Sequence, residues 1–212
     1  MTRDDIELIV FDMDGVLVDV LSSWAWVHSH FGVNNEDSLE AYMNGEIDDL
    51  EFIGRDVKLW KSLEGDLERE DILEILQEVP VMDGFEECIP VLSEKYMTAI
   101  ISGGLKPLAE YIGGNYFDRI MANDIKEVDG ILTGEGILEV ELKNKGKAFE
   151  RLLSEIDVDK KKTASVGNSH TDAPMLKRAK IGIAFNPADN KVKKAADIII
   201  EEKDLSLLLE WL

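Results

Sequence analysis

Six short apolar runs, at residues 6–11, 97–101, 119–122, 163–166, 181–185 and 198–200, are separated by stretches whose apolar positions recur at helical spacing. Short buried runs alternating with helical patterns predict a parallel α/β sheet. Residues 105–112 read as a helix following the second run, and residues 129–134 as a hairpin or flap. Between residues 16 and 83 the texture changes. No strand pattern appears there, Val20, Trp24, Val27 and Phe31 follow one helical face, and further helical stretches fall near 47–52, 57–63 and 68–79. The expected organisation is an α/β core of residues 1–16 and 83–212, interrupted by a helical segment at 17–82.

The polar residues that end these runs carry the candidate chemistry. The first run stops in Asp12-Met13-Asp14-Gly15, placing two carboxylates at a buried strand end. Unpaired carboxylates are costly to desolvate unless a cation or donor meets them. Ser102-Gly103-Gly104 follows the second run, Asn144-Lys145-Gly146 opens a helical pattern, and Gly167-Asn168-Ser169-His170-Thr171-Asp172 follows the fourth. An aspartate at the carboxyl edge of a parallel sheet can attack phosphorus, and a second carboxyl in reach can protonate the leaving oxygen and later deprotonate water. Asp12 and Asp14 fit these two roles. Ser102, the Gly103 amide and Lys145 fit the donors and cation that a transferring phosphoryl group needs.

In this order the four clusters resemble those of the haloacid dehalogenase superfamily phosphatases, near the phosphoserine phosphatase subfamily. The stretches Asp83-Gly84-Phe85-Glu86-Glu87, Leu132-Thr133-Gly134-Glu135 and Lys203-Asp204-Leu205 extend the similarity over nearly the whole chain. The resemblance implies a Rossmann-like parallel sheet with helices on both faces, and a small helical cap inserted after the first strand. It also implies Mg2+-dependent hydrolysis of a small phosphorylated metabolite through an aspartyl phosphate on Asp12. Lys145 is preferred over Lys143 and Lys147 because the family's third motif is a lysine directly before glycine. Mg2+ would be held by Asp12, Asp14, Asn168 and Asp172, and substrate by Ser102, Gly103, Lys145, Thr171 and Arg55.

Three departures matter. Asn168 stands where most relatives carry an aspartate ligand, which keeps an oxygen but drops a charge and predicts weaker metal affinity. Thr171 replaces an asparagine. In the cap, the glutamate and arginine that read serine in the relatives fall, by ungapped count, at Leu21 and Asp56, leaving Arg55 one position away as the candidate for a substrate carboxylate. Trp24 is expected in the core and Trp26 beside the pocket. His28 and His30, two apart, face different sides of a helix and do not form a metal pair. His170 is expected to shape its loop, and Cys88 to be a packed thiol.

With 44 acidic and 23 basic residues among 212, the net charge of −21 argues against nucleic acid and anionic membranes as partners, and favours small, singly phosphorylated esters. No apolar run approaches the length of a membrane span, and Met1 to Asp5 lead straight into the first strand without a signal-peptide pattern, so a cytoplasmic monomer or homodimer is expected. Two other readings keep the same residues: a phosphotransferase or mutase that passes the phosphoryl group to an alcohol, and a noncatalytic ligand-binding protein.

Overall fold

The computed structural model describes residues 5–212; residues 1–4, where the expected lead into the first strand begins, lie outside the described residues. The chain runs β1 (Leu8–Phe11), α1 (Ser23–Phe31), α2 (Glu36–Met43), α3 (Asp49–Glu64), α4 (Arg69–Leu76), α5 (Phe85–Lys95), β2 (Met97–Leu105), α6 (Lys106–Gly113), β3 (Arg119–Val128), β4 (Ile131–Ile137), α7 (Gly146–Ile156), β5 (Thr163–Gly167), α8 (Ala173–Leu176), β6 (Ile181–Phe185), α9 (Asn190–Lys193) and β7 (Ile198–Ile200). Every residue of β1 is buried. Leu8 and Val10 join Phe149, Leu152 and Met175 in one apolar cluster, whereas Ile9 and Phe11 join Ile89, Leu92 and Leu108 in another. That period of two explains why both sheet faces need helical cover. Cys88 lies in the second cluster, and burial pushes its thiol up to about 12.

The described strands form a seven-stranded sheet in the order β4-β3-β2-β1-β5-β6-β7, parallel except for the β3–β4 hairpin. From β1 the chain builds outward through β2 and β3, then returns to the other side of β1 at β5. Open α/β sheets place ligand crevices at such a switch point, beyond the carboxyl ends of the strands. Asp12 follows β1 there, and Asn168 follows β5.

Helices α1 to α4 lie between β1 and α5. In α1, Ser22 caps the helix by accepting from the Ala25 amide, and Trp24, Val27 and His28 form the buried side. The stretches expected near 47–52 and 57–63 are one helix, because the Asp48 cap and the buried positions Ile53, Val57 and Trp60 run without a break to Gly65. Helix α2 was not expected; its buried residue is Tyr42 alone, which leaves almost no apolar periodicity to read. Helix α3 and the start of α4 rest on the β3–β4 hairpin: Leu132 N donates to Leu67 O at 2.9 Å, Arg69 N to Gly130 O at 3.0 Å, and the Arg69 guanidinium takes both oxygens of Asp124.

Strand β2 runs four residues beyond the expected apolar run, so Ser102, Gly103 and Gly104 lie inside its bulged end rather than in a turn. The cause is crowding by the loop after β1. A methyl group on Gly104 would lie 2.6 Å from Met13 Cε and Ser23 Oγ and 2.7 Å from Asp14 Oδ2, so only glycine lets the strand continue past that loop. No helix among the described residues is long and apolar enough to cross a membrane.

Candidate active site

Asp12 continues the ladder past β1, its amide bonded to Val166 O at 2.9 Å. Its Oδ1 accepts from the Met13 amide at 2.7 Å and meets Lys145 Nζ at 2.5 Å, which leaves Oδ2 uncommitted among the described residues. The loop then turns back through Leu17 N to Met13 O and passes Gly15 at φ 78°, a region that disfavours side chains. The Asn168 amide fills the space beside Gly15: a methyl group there would lie 1.9 Å from Asn168 Nδ2.

Lys145 sits at the start of α7, where its backbone amide bonds Thr171 O at 3.2 Å. Buried at 4 % exposure, its ammonium bridges Asp12 Oδ1 and, at 2.6 Å, Asp172 Oδ1. Burial alone would lower the lysine's pKa, but Asp12 and Asp172 outweigh it and hold the ammonium above the ordinary lysine range. Burial, together with Asp172, raises the Asp12 carboxyl, while Lys145 opposes the rise. The other Asp172 oxygen accepts from the Asn168 and Ser169 amides and from Ser169 Oγ. Asp172 thereby braces the lysine with one oxygen and the loop after β5 with the other.

Asp14 Oδ2 accepts from both the amide and the hydroxyl of Ser23, each at 3.0 Å, while its Oδ1 is buried without a partner. Burial raises its pKa against the lowering effect of the Ser23 bonds. Ser102 is 1 % exposed, and its hydroxyl accepts from the Gly104 amide. Behind it Asn123 is fully buried, accepting from the Glu139 and Val140 amides and donating to the Gly103 carbonyl and to Val140 O.

Asp12, Asp14, Ser102, Gly103 and Lys145 floor a cavity of about 470 Å³, whose other wall is built by residues of α1, α2 and α3. Trp24 borders it with Nε1 bonded to Gly103 O at 3.1 Å and its ring stacked on Trp60. Farther out lie His28, Asn35, Tyr42, Phe52 and Asp56. Trp60 Nε1 donates to His28 Nδ1 at 2.6 Å, His28 Nε2 stands 3.3 Å from Asp56 Oδ2, and Asn35 Nδ2 reaches both Asp56 oxygens at 2.9 and 3.2 Å.

Of the residues singled out in the sequence, Asp12, Asp14, Ser102, Gly103, Lys145, Asn168 and Thr171 all border this one cavity. Arg55 does not. It lies on the exposed side of α3, 2.7 Å from Glu51 one turn earlier, because the buried side of that turn belongs to Asp56; assigning Arg55 to substrate gives way on this placement. Trp24 lies in the core as expected and also borders the cavity, whereas Trp26, expected beside the pocket, turns away to donate to Ile75 O. Lys143 and Lys147 are exposed and held by Tyr42 O and Glu141. His170 is exposed, its amide bonded to Asp189. Sequence reasoning missed Ser23, Asn123, Asn35 and the His28–Asp56 pair. For Ser23 the helix-cap pattern Ser22-Ser23 was the available signal.

The donor set suits a small hard cation. Two carboxylates, Asp12 and Asp172, meet a single ammonium, and Asp14 Oδ1 beside them is a buried oxygen without a hydrogen-bond partner. Among the described residues no three His, Cys, Asp or Glu side chains converge as a metal centre. Mg2+ commonly takes one or two carboxylates and completes its shell with water.

A family model described as haloacid dehalogenase-like hydrolase matches residues 114–208. The chain is 30% identical to a phosphoserine phosphatase of Methanocaldococcus jannaschii, covering 97% of each, and 32% identical to one of Wolinella succinogenes, covering 98% of this chain and all of that protein. Among solved structures, a phospho-aspartyl intermediate analogue of phosphoserine phosphatase superposes with a TM-score of 0.78 at 29% identity, over 98% of this chain and 99% of the other.

Proposed function

The chain belongs to the haloacid dehalogenase-like hydrolases, in the branch that holds the phosphoserine phosphatases, and on that premise we propose that it hydrolyses phosphomonoesters of small metabolites through a phosphoryl group carried on Asp12. The observation that carries this reading is the single ammonium of Lys145 held between Asp12 and Asp172, beneath a cavity that also exposes Asp14 and Ser102. In the first step the free Asp12 oxygen attacks phosphorus, the bond to the leaving oxygen breaks, and Asp14 gives that oxygen its proton. In the second step water attacks the same phosphorus, Asp14 takes the water's proton, and Asp12 leaves as a carboxylate with inorganic phosphate released. Ser102, Gly103 and Lys145 hold the equatorial oxygens throughout. Asp12, Asp14 and Asn168 would hold Mg2+, which supplies positive charge against the phosphoryl oxygens when bound. Residues 17–82 act as a cap that closes the cavity over the substrate and excludes water during transfer.

Phosphate release from p-nitrophenyl phosphate and phosphoserine, measured with and without Mg2+ on wild type and Asp12→Asn, tests this. Mg2+-dependent release lost in Asp12→Asn is expected. Release that survives the substitution contradicts the assignment.

A further inference from the structure

The far end of the cavity holds a polar pair whose protons can be placed. Trp60 Nε1–H is a donor only, so the 2.6 Å contact makes His28 Nδ1 the acceptor and puts the ring's proton on Nε2. That Nε2–H, 3.3 Å from Asp56 Oδ2, is not aligned with it as a hydrogen bond and has no other partner among the described residues. His28 is 5 % and Asp56 2 % exposed, and both border the cavity. Buried polar groups of this kind are costly unless something completes them.

The charges around the pair restrict what that can be. Asp56 is met by Asn35 and His28, with no lysine or arginine beside it. Among the described residues lining the cavity, Lys145 is the only lysine or arginine, and it is committed at the phosphate end. Arg55 and Lys143 lie outside the lining. A carboxylate on the leaving group would therefore arrive beside a buried carboxylate without a counter-ion. A hydroxyl or amine would donate to Asp56, and a hydroxyl would also accept from His28 Nε2–H. Helix α1 sets the reach, because Ser23, which holds Asp14, and His28 are five residues apart, roughly 7 Å along the axis. A short leaving group spans that distance.

We propose that His28 and Asp56 select a phosphomonoester whose short leaving group carries a hydrogen-bond donor, hydroxyl or amine, and no carboxylate. The proposal rests on the hydrolase reading above, and the test separates the two. With Mg2+ present, kcat/KM is measured for O-phosphoethanolamine, glycerol 3-phosphate, O-phosphoserine, propyl phosphate and p-nitrophenyl phosphate. Phosphoethanolamine differs from phosphoserine by the carboxylate alone, and propyl phosphate lacks any donor. One or both donor-bearing esters should exceed phosphoserine and propyl phosphate by about tenfold or more, and whichever leads identifies amine or hydroxyl. Asp56→Asn should shrink that lead over propyl phosphate, mainly through KM; where that variant does not fold, the wild-type ranking decides. Phosphoserine matching or beating phosphoethanolamine, propyl phosphate matching both donor-bearing esters, or a ranking unmoved in folded Asp56→Asn overturns the proposal. If p-nitrophenyl phosphate is turned over in that event, the hydrolase reading stands. If no substrate is turned over, both fall.

Discussion

Asn168 was expected from the resemblance to weaken metal binding, and its surroundings give that expectation a sign. Its side chain lies against Gly15, between the loops that carry Asp12 and Asp172. An aspartate there would add a third charged group beside Asp12 and Asp14, unfavourable without a cation and favourable with one. Asn168→Asp should therefore lower the melting temperature of the metal-free protein while raising the Mg2+-dependent gain in stability, tightening the ion by about 1–3 kcal/mol. Thermal melts across a Mg2+ series read this directly, and a variant with an unchanged Mg2+ response removes Asn168 from the donor set. Asp12 and Asp14 were legible because carboxylates that close an apolar run need a physical reason, and Lys145 and Asp172 through the motifs that carry the family resemblance. His28 and Asp56 were not, since they lie on two helices 28 positions apart and meet only when α1 packs against α3.

Among the elements, the β3–β4 hairpin decides where α3 stands. A methyl group on Gly136 would lie 2.4 Å from Ile53 Cγ2 and 2.9 Å from Ile53 Cβ, and Ile53 is both 1 % exposed and part of the cavity wall. A β-branched side chain cannot turn aside cheaply. Gly136→Ala should cost about 1–3 kcal/mol in urea unfolding and raise KM by tilting α3 away from the cavity. An unchanged KM would uncouple the hairpin from the site. The hairpin could be read from Asp129-Gly130, and the buried strands from their unbroken apolar runs. The extension of β2 through Gly103 and Gly104 could not, because two glycines after a strand read as a turn until Met13, Asp14 and Ser23 are seen pressed against them.

For the molecule as a whole, the net charge of −21 opposes the approach of a phosphorylated substrate. Lys145 and a bound cation attract it only at short range. Screening should therefore help: kcat/KM for an anionic phosphomonoester is expected to rise as ionic strength increases from about 0.01 to 0.15 M, where the screening length shrinks from about 30 to 8 Å. A steady fall over that interval would mean that local positive charge dominates encounter. All of this depends on Asp12 carrying the phosphoryl group. The most direct measurement is peptide mass spectrometry of enzyme quenched with acid during turnover. The account predicts the mass of one phosphoryl group on the Asp12-containing peptide of wild type and none in Asp12→Asn; a phosphoryl group found on another residue, or turnover persisting in Asp12→Asn, would contradict it.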